Sequence, residues 1–345
     1  MNRPKAAVAA LDDSVTVTPY DKGDGFPVFI EPNQDGLRTS VAKAREWLAS
    51  VPFEQMLAEA SVLVLRGFAT KTTDDFIEIT RDLPSLSSGY AGGNAPRDVV
   101  KGNVMESTHA DASLRLYLHQ EMAYLPQFPA KLAFFCNLPS KTGGETIVAD
   151  IRQLQARIPS SLFEKVKSLG LRYVRNFRPA DRSTGYKTLD DFHPTWQGSF
   201  KTDNRDEIEA ICDSRGLQHA WNSDDSITMI SDLPGVRIHP VTGETIWFNQ
   251  MHTMSMRPPN ISPEMYEQVK EVYDNGEMTR PYSVRYGDDS SIADEDLDAV
   301  YEAYDALTVA FPWQQGDVMF VDNYTAAHGR NPYSGDRDVQ VQIFG

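Results

Sequence analysis

Two side chains in the stretch Leu116-Tyr-Leu-His-Gln-Glu-Met-Ala-Tyr124 have the types and spacing to hold a metal. In an extended chain, residues i and i+2 point to one face. His119 and Glu121 would then stand side by side, about 7 Å apart at the backbone by strand rise. That leaves room for one cation between an imidazole and a carboxylate. The pair supplies two of the three ligands of a two-histidine, one-carboxylate set, which binds Fe(II) and leaves coordination positions open. The third ligand would be a distant histidine on another strand, and His328 is the best candidate. A lone His-x-Glu arises often by chance, so its surroundings decide.

The elements around it read as follows. An irregular arm with one or two strands covers residues 1–30. Helical periodicity runs from Ala42 to Ala60 with an interruption at Pro52, and the apolar run Val62–Phe68 reads as a buried strand. Thr72-Thr-Asp-Asp begins a capped helix. Residues 85–111 are polar and glycine-rich, a length that inside a compact domain points to a lid or pocket wall. Lys131–Asn137 reads as a second buried strand. Gly143-Gly144 suggests a hairpin turn feeding the strand through Thr146 to Asp150. Residues 172–200 carry aromatics and charges with no clear period. Thr245–Asn249 and Asp317–Asp322 read as strands; helices are expected at Ser160–Val166, Pro263–Asp274 and Asp294–Leu307. The last stretch, Val339–Phe344, alternates and should be a half-buried strand. Many short strands with helices outside them predict a mainly β protein with helical decorations. One domain over residues 1–345 is expected, with 151–310 as a helix-bearing insertion between core strands.

Bulk properties narrow the partners. The chain has 345 residues and a net charge of −16, and no basic patch stands out. That argues against nucleic acid and against an anionic membrane surface. The two cysteines, Cys136 and Cys212, imply buried thiols and no disulfide framework. The N-terminal apolar patch is cut off by Asp12 and Asp13, too short for a signal-peptide core, so a cytoplasmic location is the default.

Several motifs occur in a telling order: His119-Gln-Glu121, the Pro129 strand, Gly143-Gly-Glu-Thr146-x-x-x-Asp150, Trp247-Phe-Asn-Gln250, and His328-Gly-Arg-Asn-Pro-Tyr-Ser-Gly-Asp-Arg337. Together they resemble the taurine dioxygenase and clavaminate synthase superfamily, over roughly residues 60–345. The resemblance implies a double-stranded β-helix (jelly roll) core and an Fe(II)- and 2-oxoglutarate-dependent oxygenase. It implies that His119, Glu121 and His328 hold the iron. Thr146 and Arg337 would bind the distal carboxylate of 2-oxoglutarate, a role a planar guanidinium suits. Relatives often carry a second basic residue where this chain has Asp338, so Arg330 is the alternative to Arg337. Strand alternation puts Arg337 and Val339 on one face and Asp338 on the other. Bidentate 2-oxoglutarate would take two open metal positions and O2 the third. Relatives that halogenate have a small residue in place of the carboxylate; Glu121 therefore implies hydroxylation or a related oxidation, with release of succinate and CO2.

The resemblance is nearest to enzymes that hydroxylate amino acids, free or tethered to a carrier protein, in natural-product pathways. Such a substrate would be contacted from residues 85–111 and 172–200. The candidates are Asn249, Gln250, His252, His109 and Arg175, with Arg178, Asp181 and Arg182 offering charges for an amino acid's two ends. Two alternatives differ in class. A catabolic dioxygenase of a small sulfonate or aryloxy acid would need an extra cation near the iron. A non-catalytic protein of the same fold would have lost a ligand, whereas all three candidates are present.

Overall fold

The computed structural model describes residues 6–20, 25–86, 97–108, 110–276 and 278–345. His109 lies outside them, as does part of the expected lid at 85–111. The remainder of that stretch includes two short strands, Val99–Lys101 and Val104–Glu106.

The chain is mostly sheet with helices laid on the outside. The largest sheet has eight strands in the spatial order Val15–Pro19, Val28–Pro32, Val62–Leu65, Val318–Asp322, Lys131–Leu138, Asp338–Phe344, Val104–Glu106, Val99–Lys101. Opposite it stands a three-stranded sheet, Leu116–His119, Ala326–Arg330, Thr146–Asp150. Strand alternation divides the apolar residues between two sides. Phe134, Met319, Val321 and Val341 of the large sheet pack with Val148 and Ala326 of the small one. The other face of the large sheet, including Phe135, Val318 and Phe320, packs on the helices Val41–Ser50, Phe53–Ala60 and Thr73–Ile79. The outer face of the small sheet, with Leu118, Ile147, Ala149 and Ala327, packs on the segment between residues 151 and 310.

That segment has a four-stranded antiparallel sheet of its own, in the order Gln218–Trp221, Ile227–Leu233, Leu171–Phe177, Tyr282–Tyr286. The helices Ser160–Leu169, Pro263–Tyr273 and Asp294–Leu307 lie with it. No helix among the described residues is long and apolar enough to cross a membrane.

Four local expectations are corrected. The first concerns the ligand strand, which stops at His119, so Glu121 follows it in a turn where Met122 takes φ 56°. Second, Gly143-Gly144 makes no hairpin into Thr146; Thr142–Gly143 pairs instead with Tyr333–Ser334. Third, Leu171–Phe177, inside the stretch without visible period, is a central strand of the second sheet. Both its paired strands are distant in sequence, and Arg175 and Asn176 are buried there beside Tyr173 and Phe177. Last, the terminal strand is not half-buried: Gln340 and Gln342 are each 2% exposed. The helix Thr73–Ile79 and its cap cover them, with Thr73 Oγ1 donating to Gln340 Oε1 (3.0 Å) and Thr80 Oγ1 to Gln342 Oε1 (2.6 Å).

Candidate metal and co-substrate site

The small sheet brings the two histidines together. His328 pairs directly with His119 across the strands, and their ring centroids are 4.6 Å apart. The turn after His119 swings Glu121 back toward both rings. His119, Glu121 and His328 each offer a ligand atom, and these atoms lie within 4.8 Å of one another. His328 Nε2 is 3.4 Å from Glu121 Oε2. Among the described residues this is the one such group of three or more.

The protonation states suit a metal. His119 Nδ1 faces the Tyr117 carbonyl at 2.8 Å. A carbonyl only accepts, so Nδ1 carries the proton and Nε2 keeps its lone pair for a cation. Burial, and then the neighbouring His328, pull His119 down to about 4, so it is neutral near pH 7. Burial alone would raise Glu121. Arg97 and His328 outweigh it and hold the carboxyl below the usual range, ionised. Arg97 Nη2 lies 2.8 Å from Glu121 Oε2, both side chains almost fully buried. Neutral His119, ionised Glu121 and the imidazole of His328 are the donor set of a facial three-ligand Fe(II) site.

The backbone that presents these ligands is held from behind by amide side chains. Asn323 Oδ1 accepts from Glu121 N (2.7 Å), and its Nδ2 donates to Glu121 O (2.9 Å) and Pro129 O (2.7 Å). Gln120 Nε2 donates to the carbonyls of Trp247 and Tyr324. Gln250 Nε2 donates to Gln120 O at 2.6 Å, and His252 Nε2 to Leu118 O at 2.8 Å. The His252 ring also stacks on Tyr304 at 4.5 Å. Asn249 Nδ2 donates to Gly235 O. The structure thus commits these donors of Asn249, Gln250 and His252, expected to meet substrate, to main-chain carbonyls. For Gln250 and His252 those carbonyls belong to the ligand segment.

Arg175 is 1% exposed, its guanidinium 5.1 Å from the Tyr124 ring centre and 5.4 Å from that of Phe177. Arg178 donates to the carbonyls of His193, Arg182 and Asp190, and Arg182 pairs with Asp224 at 2.7 Å.

The residues implied for 2-oxoglutarate also converge. Thr146 and Arg330 are cross-strand partners, and Thr146 Oγ1 accepts from Trp313 Nε1 at 3.2 Å. Arg330 spends its fork on the carbonyls of Ala110, Asp111 and Leu114. Arg337 donates Nε to Gly144 O (2.9 Å) and Nη1 to Ser107 Oγ (3.3 Å). The two guanidiniums lie 5.0 and 5.6 Å from the Tyr333 ring centre. Burial, and then the charge of Arg330, pull Arg337 down to about 10. Neither arginine has a carboxylate within ion-pair distance among the described residues. A buried cation under this pressure is a favourable place for an anion.

Sequence reasoning missed Asn323 and Arg97. The only sequence signal for Asn323 is its place in the turn Asp322-Asn-Tyr-Thr325 before His328. Arg97 carries none.

Comparison with known proteins agrees with this geometry. The dapdiamide synthesis protein DdaC of Enterobacter agglomerans is 28% identical over 305 residues, covering 88% of either chain. A clavaminate synthase-like protein of Arabidopsis thaliana is 26% identical over 297 residues, covering 84% of this chain and 83% of its own. Among solved structures, PvcB of Pseudomonas aeruginosa superposes with a TM-score of 0.53 at 16% identity, covering 97% of this chain and 93% of that one. Residues 41–342 match the family described as taurine catabolism dioxygenase TauD, TfdA. The chain therefore belongs to the TauD, TfdA family, as a 2-oxoglutarate-dependent dioxygenase that works with Fe(II) and O2.

Proposed function

We propose that the protein hydroxylates an unactivated C–H of an amino acid, free or carrier-tethered, in a biosynthetic pathway. The observation that carries the oxygenase chemistry is the convergence of His119, Glu121 and His328 within 4.8 Å. In this reading those three hold Fe(II), and the two facing sheets are the walls of a double-stranded β-helix. Bound iron with 2-oxoglutarate and O2 supplies the oxidising power, releasing succinate and CO2. The protein's share is to bind, orient and exclude water.

Arg337 takes the distal carboxylate of 2-oxoglutarate, because its fork is bound to only one carbonyl and one hydroxyl, whereas Arg330 is tied to three carbonyls. Thr146 adds its hydroxyl. Ser107, which bonds Arg337, supports residues 97–108 of the expected lid as a wall of the same pocket. The amino-acid assignment draws on the relative named for dapdiamide synthesis, which favours biosynthesis over catabolism.

A second reading has one observation in its favour. Arg97 places a cation beside the cluster, as a dioxygenase of a small sulfonate or aryloxy acid would require. One experiment separates these readings. Succinate formation from 2-oxoglutarate is followed with Fe(II) and ascorbate across free L-amino acids, small sulfonates and aryloxy acids, with His119→Ala beside wild type. Stimulation by an amino acid, absent in the mutant, is the expected result. Stimulation by sulfonates or aryloxy acids alone would move the assignment to the second reading. A slow background in wild type that nothing stimulates, lost in the mutant, keeps the oxygenase and points to a carrier-tethered or unrelated substrate. No turnover and no iron uptake would remove the oxygenase reading altogether.

A further inference from the structure

Glu121 faces a positional problem that the histidines do not. His119 and His328 sit on paired strands, whose ladder fixes them. Glu121 lies beyond the strand end, in a turn that includes a left-handed residue, Met122. Its side chain also has one more rotatable bond than an aspartate. Something outside the strand ladder must fix where its carboxylate stands. We infer that Asn323 is a positioning residue for the metal: its carboxamide clamps the Glu121 backbone on both sides of its Cα and so sets the third ligand against the two histidines. The inference rests on His119, Glu121 and His328 being the metal ligands.

Three observations carry it. The clamp is two-sided, since Asn323 Oδ1 accepts from Glu121 N and Nδ2 donates to Glu121 O, at 2.7 and 2.9 Å. Glu121 N and Glu121 O belong to the two peptide units that flank its Cα, so the pair of bonds holds the backbone on both sides of that Cα, which one bond would not. The clamp is itself anchored. Asn323 is 0% exposed, its Nδ2 also donates to Pro129 O, and its own N–H donates to Ala130 O at 2.9 Å. The preceding Asp322 accepts from Tyr324 N and Thr325 N through Oδ1 and from His239 Nε2 through Oδ2. Finally, Asn323 belongs to the turn that launches the strand carrying His328. One short segment thus places one histidine ligand covalently and the carboxylate ligand by hydrogen bonds, so the two cannot drift independently. Support of this kind is typically worth 10- to 100-fold in metal affinity.

The test is a titration with Mn(II) alone, read by the EPR signal of free Mn(II), with the thermal midpoint of each apoprotein measured alongside. Asn323→Ala is compared with wild type and with Asn176→Ala. Asn176 is a buried amide in the second sheet that donates to Arg280 O and accepts from Thr228. It matches the structural loss without touching the ligands. The expected result is a roughly 10- to 100-fold weaker Mn(II) affinity in N323A, with N176A within about threefold of wild type at a similar loss of midpoint. Asn323→Asp keeps the size and the acceptor for Glu121 N but turns the donor into a charge facing two carbonyls. It should weaken Mn(II) as well, and it carries the test if N323A does not fold. Equal affinities in N323A and wild type, or equal losses in N323A and N176A, would overturn the inference. A wild type that takes up no Mn(II) fails the ligand assignment instead.

Discussion

At the scale of single residues, the proposed site assigns some groups to the co-substrates and others to holding the backbone in place. Arg337 and Arg330 illustrate the division. Both flank Tyr333, yet Arg330 is bound to three carbonyls of residues 110–114 and Arg337 to one carbonyl and one hydroxyl. Arg337→Gln should raise the KM for 2-oxoglutarate roughly 10- to 100-fold, since charge-assisted bonds are worth about 1.5–3 kcal/mol. Arg330→Gln should act chiefly on stability, leaving buried carbonyls without donors. Steady-state kinetics beside a melting curve distinguishes them, and the reverse pattern would exchange their roles. His119 and Glu121 were legible in the sequence because they are two residues apart and of ligand type. Asn323 was not, because its partner Glu121 is 202 positions away and an asparagine in a turn has an ordinary local explanation. Gln250 and His252 were visible as unusual polar residues after a strand, but their type cannot say whether a substrate or a backbone carbonyl awaits them.

Elements explain where Arg337 stands. Gly143 and Gly144 have φ of +66° and +73°, and a Cβ on Gly143 would come within 2.2 Å of the Pro332 carbonyl oxygen. The glycines let two segments dock closely, and the Gly144 carbonyl then receives Arg337 Nε. Gly143→Ala should therefore push the 332–337 segment away and raise the KM for 2-oxoglutarate with little change in metal affinity; an unchanged KM would show that Arg337 is placed by other contacts. The pair of glycines was read as a hairpin because turn chemistry looks the same whether a chain folds on itself or meets a distant partner. The strand Leu171–Phe177 was hidden for a related reason: Arg175 and Asn176, polar by type, are buried at 1% and 3% exposure, against what their type predicts. A histidine bonded to this strand predicts a pH response. His193 accepts burial between Tyr273 OH and Asn176 O, both at 3.1 Å. Burial first, and Arg178 second, pull it down to about 4. A histidine lowered in the folded state adds stability above its unfolded value near 6.5, and that stability is lost as pH falls through about 4. The loss amounts to roughly 2–3 kcal/mol, discounted for partial solvation. His193→Gln should flatten the fall in urea midpoint between pH 6.5 and 4, even while lowering it at pH 7.5. An equal fall in both proteins would place the acid sensitivity elsewhere.

For the whole molecule, the architecture follows from three apolar clusters separated by two sheets. The mainly β class with outer helices was readable from strand and helix periods alone, since those periods report which faces are buried. The order of strands was not, because the large sheet sets 318–322 between 62–65 and 131–138, and 338–344 between 131–138 and 104–106. That arrangement places the candidate metal site at a mechanical junction. His119 and His328 belong to strands that start over 200 positions apart by the register of their pairing, and Glu121 is held by the turn after Val318–Asp322 of the large sheet. A cation bound by all three therefore ties the small sheet to the large one and is present only in the folded chain. Linkage makes that binding a stability term: at a free metal concentration of about 100 times Kd it adds roughly 2.7 kcal/mol. In a chain of this length the gain should appear as a rise of a few degrees in the thermal midpoint with Mn(II), growing with the logarithm of concentration. In His328→Ala the rise should vanish, and 2-oxoglutarate added to wild type should increase it further. A rise of equal size in His328→Ala would mean that the cation stabilises through surface carboxylates of this acidic chain rather than through the junction of its two sheets.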